Sequence, residues 1–508
     1  MDTPQKLAEA LEALTALQSS GMTAIRSRDL SRAHREHLLK TGFLKEVIKG
    51  WYIMSRPDET AGESTAWYTA FWRFCAQYLD DRFGDQWSLS PEHSLRLHAG
   101  DTGVPAQVLV RAPRAGNQKT DFPHGTSIFE TRAMIATGDA LTHLDGLRLF
   151  TIEEALIRVQ ESFFTQHPTE ARTILAITPD ASALLARLLA GGHTRAAGRL
   201  AGAFRNIGKP GIAQDLIDSM KAAGHDVREQ DPFSAGITSP ALPRATSPHV
   251  HRIRLKWTAL RPSVIAHFPK AKPVTNDIAT YLGAMDDLYV TDAYHSLSIE
   301  GYQVSPELIE KVRAGDWNPS GDQEDRAVTD ALAARGYWEA FQSVRESVRA
   351  VLEGSDAGHV AERDLNLWYR ALFTPSVAAG ILQPSQLAGY RNGPVYIRGS
   401  QHVPMNVAAV RDCMPVLFDL LAGEPDPTVR AVLGHFMLVY IHPFSDGNGR
   451  TARFLMNVML AAAGHPWTVI KVEQRAAYMA SLEAASVQGD IAPFTQFLAK
   501  ALRDQFSA

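Results

Sequence analysis

Cysteine is nearly absent. Only Cys75 and Cys413 occur in 508 residues, and they stand far apart in the chain. That excludes a disulfide framework and points to a reducing compartment, so a cytoplasmic location is expected. No apolar run reaches the roughly 18 residues that a spanning helix requires, which leaves no expectation of a membrane partner. The opening residues, with Asp2, Lys6, Glu9 and Glu12, lack the apolar segment of a signal peptide. A large charge of either sign is missing too. The net charge is −4, too small for a global pull towards nucleic acid or an anionic membrane. Sparse lysine beside abundant alanine, arginine and glycine suggests a bacterial source. What is present is ordinary for a soluble protein, 45% hydrophobic and 21% charged residues. The length predicts about three domains.

One stretch stands out: His442-Pro443-Phe444-Ser445-Asp446-Gly447-Asn448-Gly449-Arg450-Thr451-Ala452-Arg453. Asp426-Pro427 reads as an N-cap followed by proline at the first helical position. Val429, Val432, Leu433, Phe436, Val439 and Tyr440 then recur at helical spacing, and Pro443 ends that helix. A second helix runs from about Gly449, with Phe454, Leu455, Val458 and Met459 inward, Gly464 at its C′ position and Pro466 as a stop. Gly447, Asn448 and Gly449 therefore lie at a helix N-terminus, where free N–H groups and the dipole favour an anion. The glycines let the backbone bend into a nest. Arg450 and Arg453 share a face of the first turn and add two guanidiniums, which makes a polyphosphate site. Asp446 offers one hard oxygen, as suits Mg²⁺ held mainly by substrate phosphates. His442 has a pKa range suited to taking a proton near neutrality.

The stretch resembles the Fic family signature, HPFx[DE]GNGRxxR, at every defined position. The resemblance implies a mainly α fold, a helical bundle carrying a β-hairpin flap. It implies transfer of AMP from ATP to a hydroxyl side chain (Ser, Thr or Tyr) of a target protein. His442 would be the general base and Asp446 the Mg²⁺ ligand. Gly447, Asn448 and Gly449 would form the anion hole, Arg450 and Arg453 would bind phosphates, and Phe444 would fix the loop from the core. Such chemistry needs a base, a metal and charge neutralisation. Ser296-Leu297-Ser298-Ile299-Glu300-Gly301 matches the family's inhibitory motif, [ST]xxxE[GN]. Ser296, Glu300 and Gly301 are its defined positions, within an inhibitory helix near 292–301. Glu300 would pair with Arg453 and block seating of the γ-phosphate, because a carboxylate competes with a phosphate oxygen for the same fork. In some relatives this glutamate directs water to a protein-bound AMP, so AMP removal is an alternative. Another donor (UTP, GTP or a phosphocholine carrier) and a nucleotide-sensing transcriptional regulator are others; the intact His442 argues against the last.

Gly389-Tyr390-Arg391, the alternation Val395-Tyr396-Ile397-Arg398 and His402-Val403-Pro404 suggest a β-hairpin beside the site. In the family a flap there holds the target by strand addition. Arg475, Tyr478 and Leu482 share a helical face, and Tyr478 belongs either to an adenine pocket or to the core.

Residues 1–60 read as helices over Gln5–Leu17, Met22–Leu30 and Arg32–Lys40, the last capped by Ser31. Two strands follow, 43–48 and 51–54, joined at Lys49-Gly50. That is the order of a winged helix-turn-helix. Between Arg26 and Arg56 eight basic residues face three acidic ones, the footprint of phosphate contacts. Arg32 and Arg35 on the third helix, and Lys49 in the wing, are the DNA-contact candidates. Residues 61–231 read as a small α/β domain and then helices (Ile152–Phe164, Ala181–Leu189, Ala197–Phe204, Ala213–Ala223). With the stretch Trp87–Gly100 followed by the strand Ala106–Val110, the first 160 residues resemble the AbiEi-like antitoxin family, in which a winged helix precedes an α/β domain. That implies promoter repression, a toxin–antitoxin setting and compatibility with a homodimer. His93 and His98 are expected to be structural. Gly202–Pro210 is not a phosphate loop, since its spacing is wrong and Pro210 stands where Ser or Thr belongs. Residues 232–250 read as a Pro-rich linker and 251–508 as the Fic-like domain.

Overall fold

Residues 3–57, 64–233, 247–274, 277–316, 325–387 and 389–505 are described here, in a computed structural model. The fold is mainly helical, with three small sheets. The chain divides into two compact units, Met1–Arg252 with Tyr396–Val403, and Ile253–Val395 with Pro404–Ala508. Among the described residues no single helix is long and apolar enough to cross a membrane.

The first unit opens with a helix, Thr3–Ser19, then β1 (Ile25–Arg26), a helix Arg32–Lys40, β2 (Leu44–Ile48) and β3 (Trp51–Met54). The strands pair antiparallel in the order β1-β3-β2, Ile25 opposite Tyr52 and Lys45 opposite Ile53. Ala10, Leu14, Ile25, Leu30, Leu38 and Tyr52 make their small core. Ser31 caps the second helix, its hydroxyl accepting from His34 N at 3.1 Å. The helix expected over Met22–Leu30 does not form. The Gln77 side chain takes the N–H groups of Thr23 and Ala24 at 2.9 and 2.7 Å, and Asp29 takes that of Arg26 at 2.7 Å. These partners supply extended backbone with the bonds that a helix would have closed on itself.

Behind this, the helix Thr65–Phe83 buries Trp67, Phe71 and Phe74. The accompanying sheet contains β4 (Ser88–Leu89), β5 (Val108–Ala112), β6 (Lys119–Asp121) and β7 (Ser127–Arg132), ordered β4-β5-β7-β6 with β5 and β7 parallel. A hairpin, β8 (Leu141–Leu144) and β9 (Leu147–Phe150), leads into helices 152–158, 162–166, 168–177, 182–191, 194–206 and 210–222. The single helix expected over Ile152–Phe164 breaks at Val159, whose backbone is extended. His93 is buried beside the Ser90 hydroxyl at 3.3 Å, and His98 Nε2 bonds Phe150 O at 2.8 Å. Gly202 is a packing glycine, since a Cβ there would lie 2.2 Å from Gln230 O. Pro210 opens a helix. Most of the expected linker, 234–246, lies outside the described residues; its end is helical instead, because Pro248 begins the helix Pro248–His267.

The second unit contains helices 278–299, 306–314, 325–352, 357–378, 407–423, 427–441, 448–462, 475–483 and 492–504. Its centre is 448–462, buried at almost every position from Asn448 to Ala461 and packed on 427–441, 325–352 and 357–378. A helix covered on all sides must either be apolar throughout or pair its polar groups. This one carries Arg450 and Arg453 into the interior, 1% and 3% exposed.

Candidate active site

The helix before the signature begins as its sequence dictates. Asp426 Oδ1 accepts from Thr428 N at 2.9 Å, and Pro427 follows. It ends at His442, whose backbone is left-handed at φ +54°, ψ +61°. Phe444 is fully buried and stacks on Tyr369, ring centroids 3.9 Å apart. Asn448 closes the loop with its side chain: Oδ1 accepts from Phe444 N at 2.9 Å and Nδ2 donates to Phe444 O at 2.8 Å. Its backbone N–H remains for the anion cradle expected there. Gly447 has φ +77°, and a Cβ there would stand 2.8 Å from the Phe373 ring. Both facts require glycine.

His442 Nδ1 faces Val439 O at 3.2 Å. A carbonyl only accepts, so Nδ1 carries the proton and Nε2 keeps its lone pair. Burial pulls the imidazole down to about 4, with Arg391 pulling the same way and the Val439 bond opposing. The ring is therefore neutral at pH 7, as a base must be.

Arg450 Nη2 donates to Asp446 Oδ2 at 3.1 Å, and its guanidinium lies between the Tyr302 and Phe373 rings, 5.2 and 5.0 Å from their centroids. Asp446 is exposed, and its Oδ1 accepts from Gly447 N at 2.6 Å. Arg453 Nε donates to Ser296 Oγ at 2.8 Å, and Nη2 donates to Ser296 O at 3.0 Å and Glu300 Oε1 at 2.8 Å. Burial disfavours the Arg453 charge, but Glu300 together with Tyr478 and Tyr337 offsets this and holds the guanidinium above its ordinary range. Glu300 caps the helix 278–299, and Gly301 turns the chain away at φ +95°. A Cβ on Gly449 would lie 2.4 Å from Glu300 Oε1 and 3.1 Å from Arg453 Nη1. The carboxylate thus sits over the bare face of Gly449, beside the free N–H groups of the helix N-terminus. Arg450 Nε and Arg453 Nη1 are buried without a hydrogen-bond partner. Orphaned donors beside a glycine cradle fit a polyphosphate. Among the described residues no cluster of three or more His, Cys, Asp or Glu is placed to hold a metal. Asp446 as one carboxylate suits Mg²⁺ carried in on phosphates.

Two expectations are corrected. Tyr478 is 1% exposed, its hydroxyl 2.7 Å from His435 Nε2 in a stack that includes Phe494. It packs in the core. No strand forms over Val395–Arg398. Tyr396, Ile397 and Arg398 belong to the first unit, where the segment turns at Gly399 (φ +75°). There Val104 N donates to Gln401 O at 3.0 Å and Thr102 Oγ1 to Val403 O at 2.7 Å. Alternation of side chains alone does not make a hairpin; here Ser400 N closes a local turn on Ile397 O at 3.1 Å.

Arg32, Arg35 and Lys49 lie in the first unit. Arg32 is exposed and pairs with Glu36 at 2.7 Å, and Lys49 is exposed. Arg35 is half-buried: it donates Nη1 to Ser27 O at 2.7 Å and lies over the Tyr52 ring. That residue braces its own fold and is a poor DNA contact. Tyr302, Phe373 and Arg391 also join the site; of these the sequence points only to Arg391, through the stretch Gly389-Tyr390-Arg391.

Residues 360–460 match the model of the Fic/DOC family. Over 221 residues, 43% of this chain and 48% of the relative, the sequence is 31% identical to "Protein adenylyltransferase Fic" of Nematostella vectensis. Over 125 residues, 24% of each chain, it is 38% identical to "Protein adenylyltransferase fic-1" of Caenorhabditis elegans. The chain thus spans at most about half the length of these relatives. A solved structure, "Fic-1 (aa134 - 508) from C. elegans", covers 64% of this chain and 90% of its own at 20% identity and a TM-score of 0.38, too slight a likeness to argue from.

Proposed function

We propose that this chain transfers AMP from ATP to a hydroxyl side chain of a protein and is held back by Glu300 on Arg453. The observation that carries the reading is the cradle: a carboxylate oxygen stands where Gly449, Arg453 and a helix N-terminus converge, a place built for phosphate oxygens. His442 Nε2 takes the proton of the attacking hydroxyl. The hydroxyl oxygen bonds to the α-phosphorus, the bond to the bridging oxygen breaks, and pyrophosphate leaves. Arg450, Arg453 and the free N–H groups neutralise the phosphates. Asp446 would hold Mg²⁺, which supplies further charge neutralisation when bound. Two relatives bear the name protein adenylyltransferase, which supports the reaction class. Intact-mass spectrometry tests it: after incubation with Mg²⁺ and each nucleoside triphosphate in turn, Glu300→Gly should gain one AMP-sized increment, with ATP only. No gain with any donor overturns the reading and sends attention to AMP removal or nucleotide sensing.

The pH profile follows from the base. A group pulled down to about 4 is already deprotonated at pH 5.5. Transfer by Glu300→Gly should be flat from pH 8 to about 5.5 and fall only on approach to about 4. A limb near 6.5 would mean that His442 is not desolvated as described.

For the first unit we propose DNA binding by the helix Arg32–Lys40 and the β2–β3 wing, without the second helix of a complete winged helix-turn-helix. The β1-β3-β2 sheet, the capped helix Arg32–Lys40 and the exposed Arg32 and Lys49 support it. Anisotropy with the DNA upstream of the chain's own coding region should show salt-dependent binding. Arg32→Ala and Lys49→Ala should each lower the salt slope by about 1. Binding without sequence preference would leave only a generic basic surface.

A further inference from the structure

We infer that Arg391 is the positioning residue that locks His442 in the backbone conformation from which its ring reaches the substrate hydroxyl. The inference rests on the reading of His442 as the base. A left-handed backbone is unfavourable for a residue with a Cβ, and glycine is usual just past a helix end. His442 nevertheless stands there at φ +54°. Such conformations persist where the surroundings over-determine them.

Two carbonyls leave the helix at this bend, those of His442 and Pro443, and both are taken by Arg391. Its Nε donates to His442 O at 2.8 Å, and its backbone N donates to Pro443 O at 2.9 Å. The rest of the guanidinium is fixed in turn: Nη1 donates to Gly393 O at 3.0 Å and Nη2 to Met405 O. Arg391 is 3% exposed, so each of those carbonyls would be costly to leave unpaired. Its own backbone is anchored by the helix 407–423. Arg411 Nη1 donates to Arg391 O at 3.3 Å and Nη2 to Asn392 Oδ1 at 2.5 Å, while Asn406 caps that helix. On the neighbouring side Tyr390 packs near Phe444, centroids 5.8 Å apart.

The phosphate site is braced independently. Arg450 is held by Asp446, Tyr302 and Phe373, and Arg453 by Ser296 and Glu300. Loss of Arg391 therefore misplaces the base and spares the cradle. No other side chain matches the device, because a planar fork with several donors serves separate carbonyls at once, whereas a lysine ammonium serves one point.

The test uses full-length Glu300→Gly as the parent, with Arg391→Gln and Arg391→Lys added separately. Arg391→Gln should lower kcat about 30- to 100-fold, the scale of a base displaced by about 1 Å, with KM for ATP within about twofold. Arg391→Lys, which retains the charge and one donor, should lose about threefold to tenfold. A readout independent of turnover is the Cα and Cβ chemical shift of ¹³C-labelled His442, which reports its positive φ. That signature should persist in the parent, be lost in Arg391→Gln and be partly kept in Arg391→Lys. If the parent itself transfers nothing, the AMP-transfer reading fails while the shifts still decide this one. Unchanged shifts in Arg391→Gln, or kcat and KM changing together, overturn it. Should Arg391→Gln fail to fold, Arg391→Lys decides: full kcat with unaltered shifts overturns the inference.

Discussion

His442→Ala, made in the Glu300→Gly background, is expected to lower AMP transfer by about 10²- to 10⁴-fold, the range of a positioned general base. ATP affinity should stay within about twofold, because the phosphate contacts come from another element. Arg450 and Arg453 lie inside the helix 448–462 and are held by Asp446, Ser296 and aromatic rings, none of which leans on the imidazole. The imidazole's own hydrogen bond is to Val439 O. Alanine at φ +54° bears the left-handed cost without relief, so some loss of stability is expected. Asparagine tolerates that region better, and His442→Asn separates the two effects: transfer should fall as far with a melting temperature closer to the parent's. The measurements are single-turnover mass spectrometry and calorimetric ATP titration. Transfer retained in either variant would remove His442 from the chemistry, and ATP binding lost in both would make it a structural residue of the loop.

What could be read from the sequence and what could not divides by the range of the interactions. Asp426-Pro427, the GNG nest and Gly464 act on their own neighbours, so the two helices and the loop between them were legible from local chemistry. Glu300 lies 153 residues from Arg453, and nothing local couples them; only resemblance to a family motif brought them together. Tyr302 and Phe373 around Arg450 carry no sequence signal at all, because a ring three-dimensionally next to a guanidinium looks like any core aromatic. Tyr478 reads from sequence as either pocket or core, and its contact with the buried His435 sets it in the core. Over Met22–Leu30 local pattern points to a helix, but a distant residue, Gln77, takes the N–H groups of Thr23 and Ala24, which local pattern cannot assign.

Glu300→Gly is expected to raise AMP transfer about 10- to 100-fold, which is the equilibrium equivalent of releasing one charge-assisted hydrogen bond. The direction depends on what Arg453 does once the carboxylate is gone. Its bonds to Ser296 Oγ and Ser296 O, at 2.8 and 3.0 Å, do not involve Glu300. They hold the guanidinium in place, so the variant presents a preorganised fork and not a collapsed one. Glycine is also acceptable at a helix C-cap, and the chain already turns at Gly301. Charge and bulk are separable. Glu300→Gln keeps the side chain over Gly449 but removes the negative charge. If competition for the fork is what restrains the wild type, Glu300→Gln should lie between wild type and Glu300→Gly in transfer rate. If occupancy of the cradle is what matters, it should match wild type. Rates read by intact mass over a range of ATP concentrations distinguish these outcomes. A Glu300→Gly variant no faster than wild type with ATP and Mg²⁺ would sink the inhibitory reading, because the only carboxylate seated in the cradle would then have been removed without consequence among the described residues.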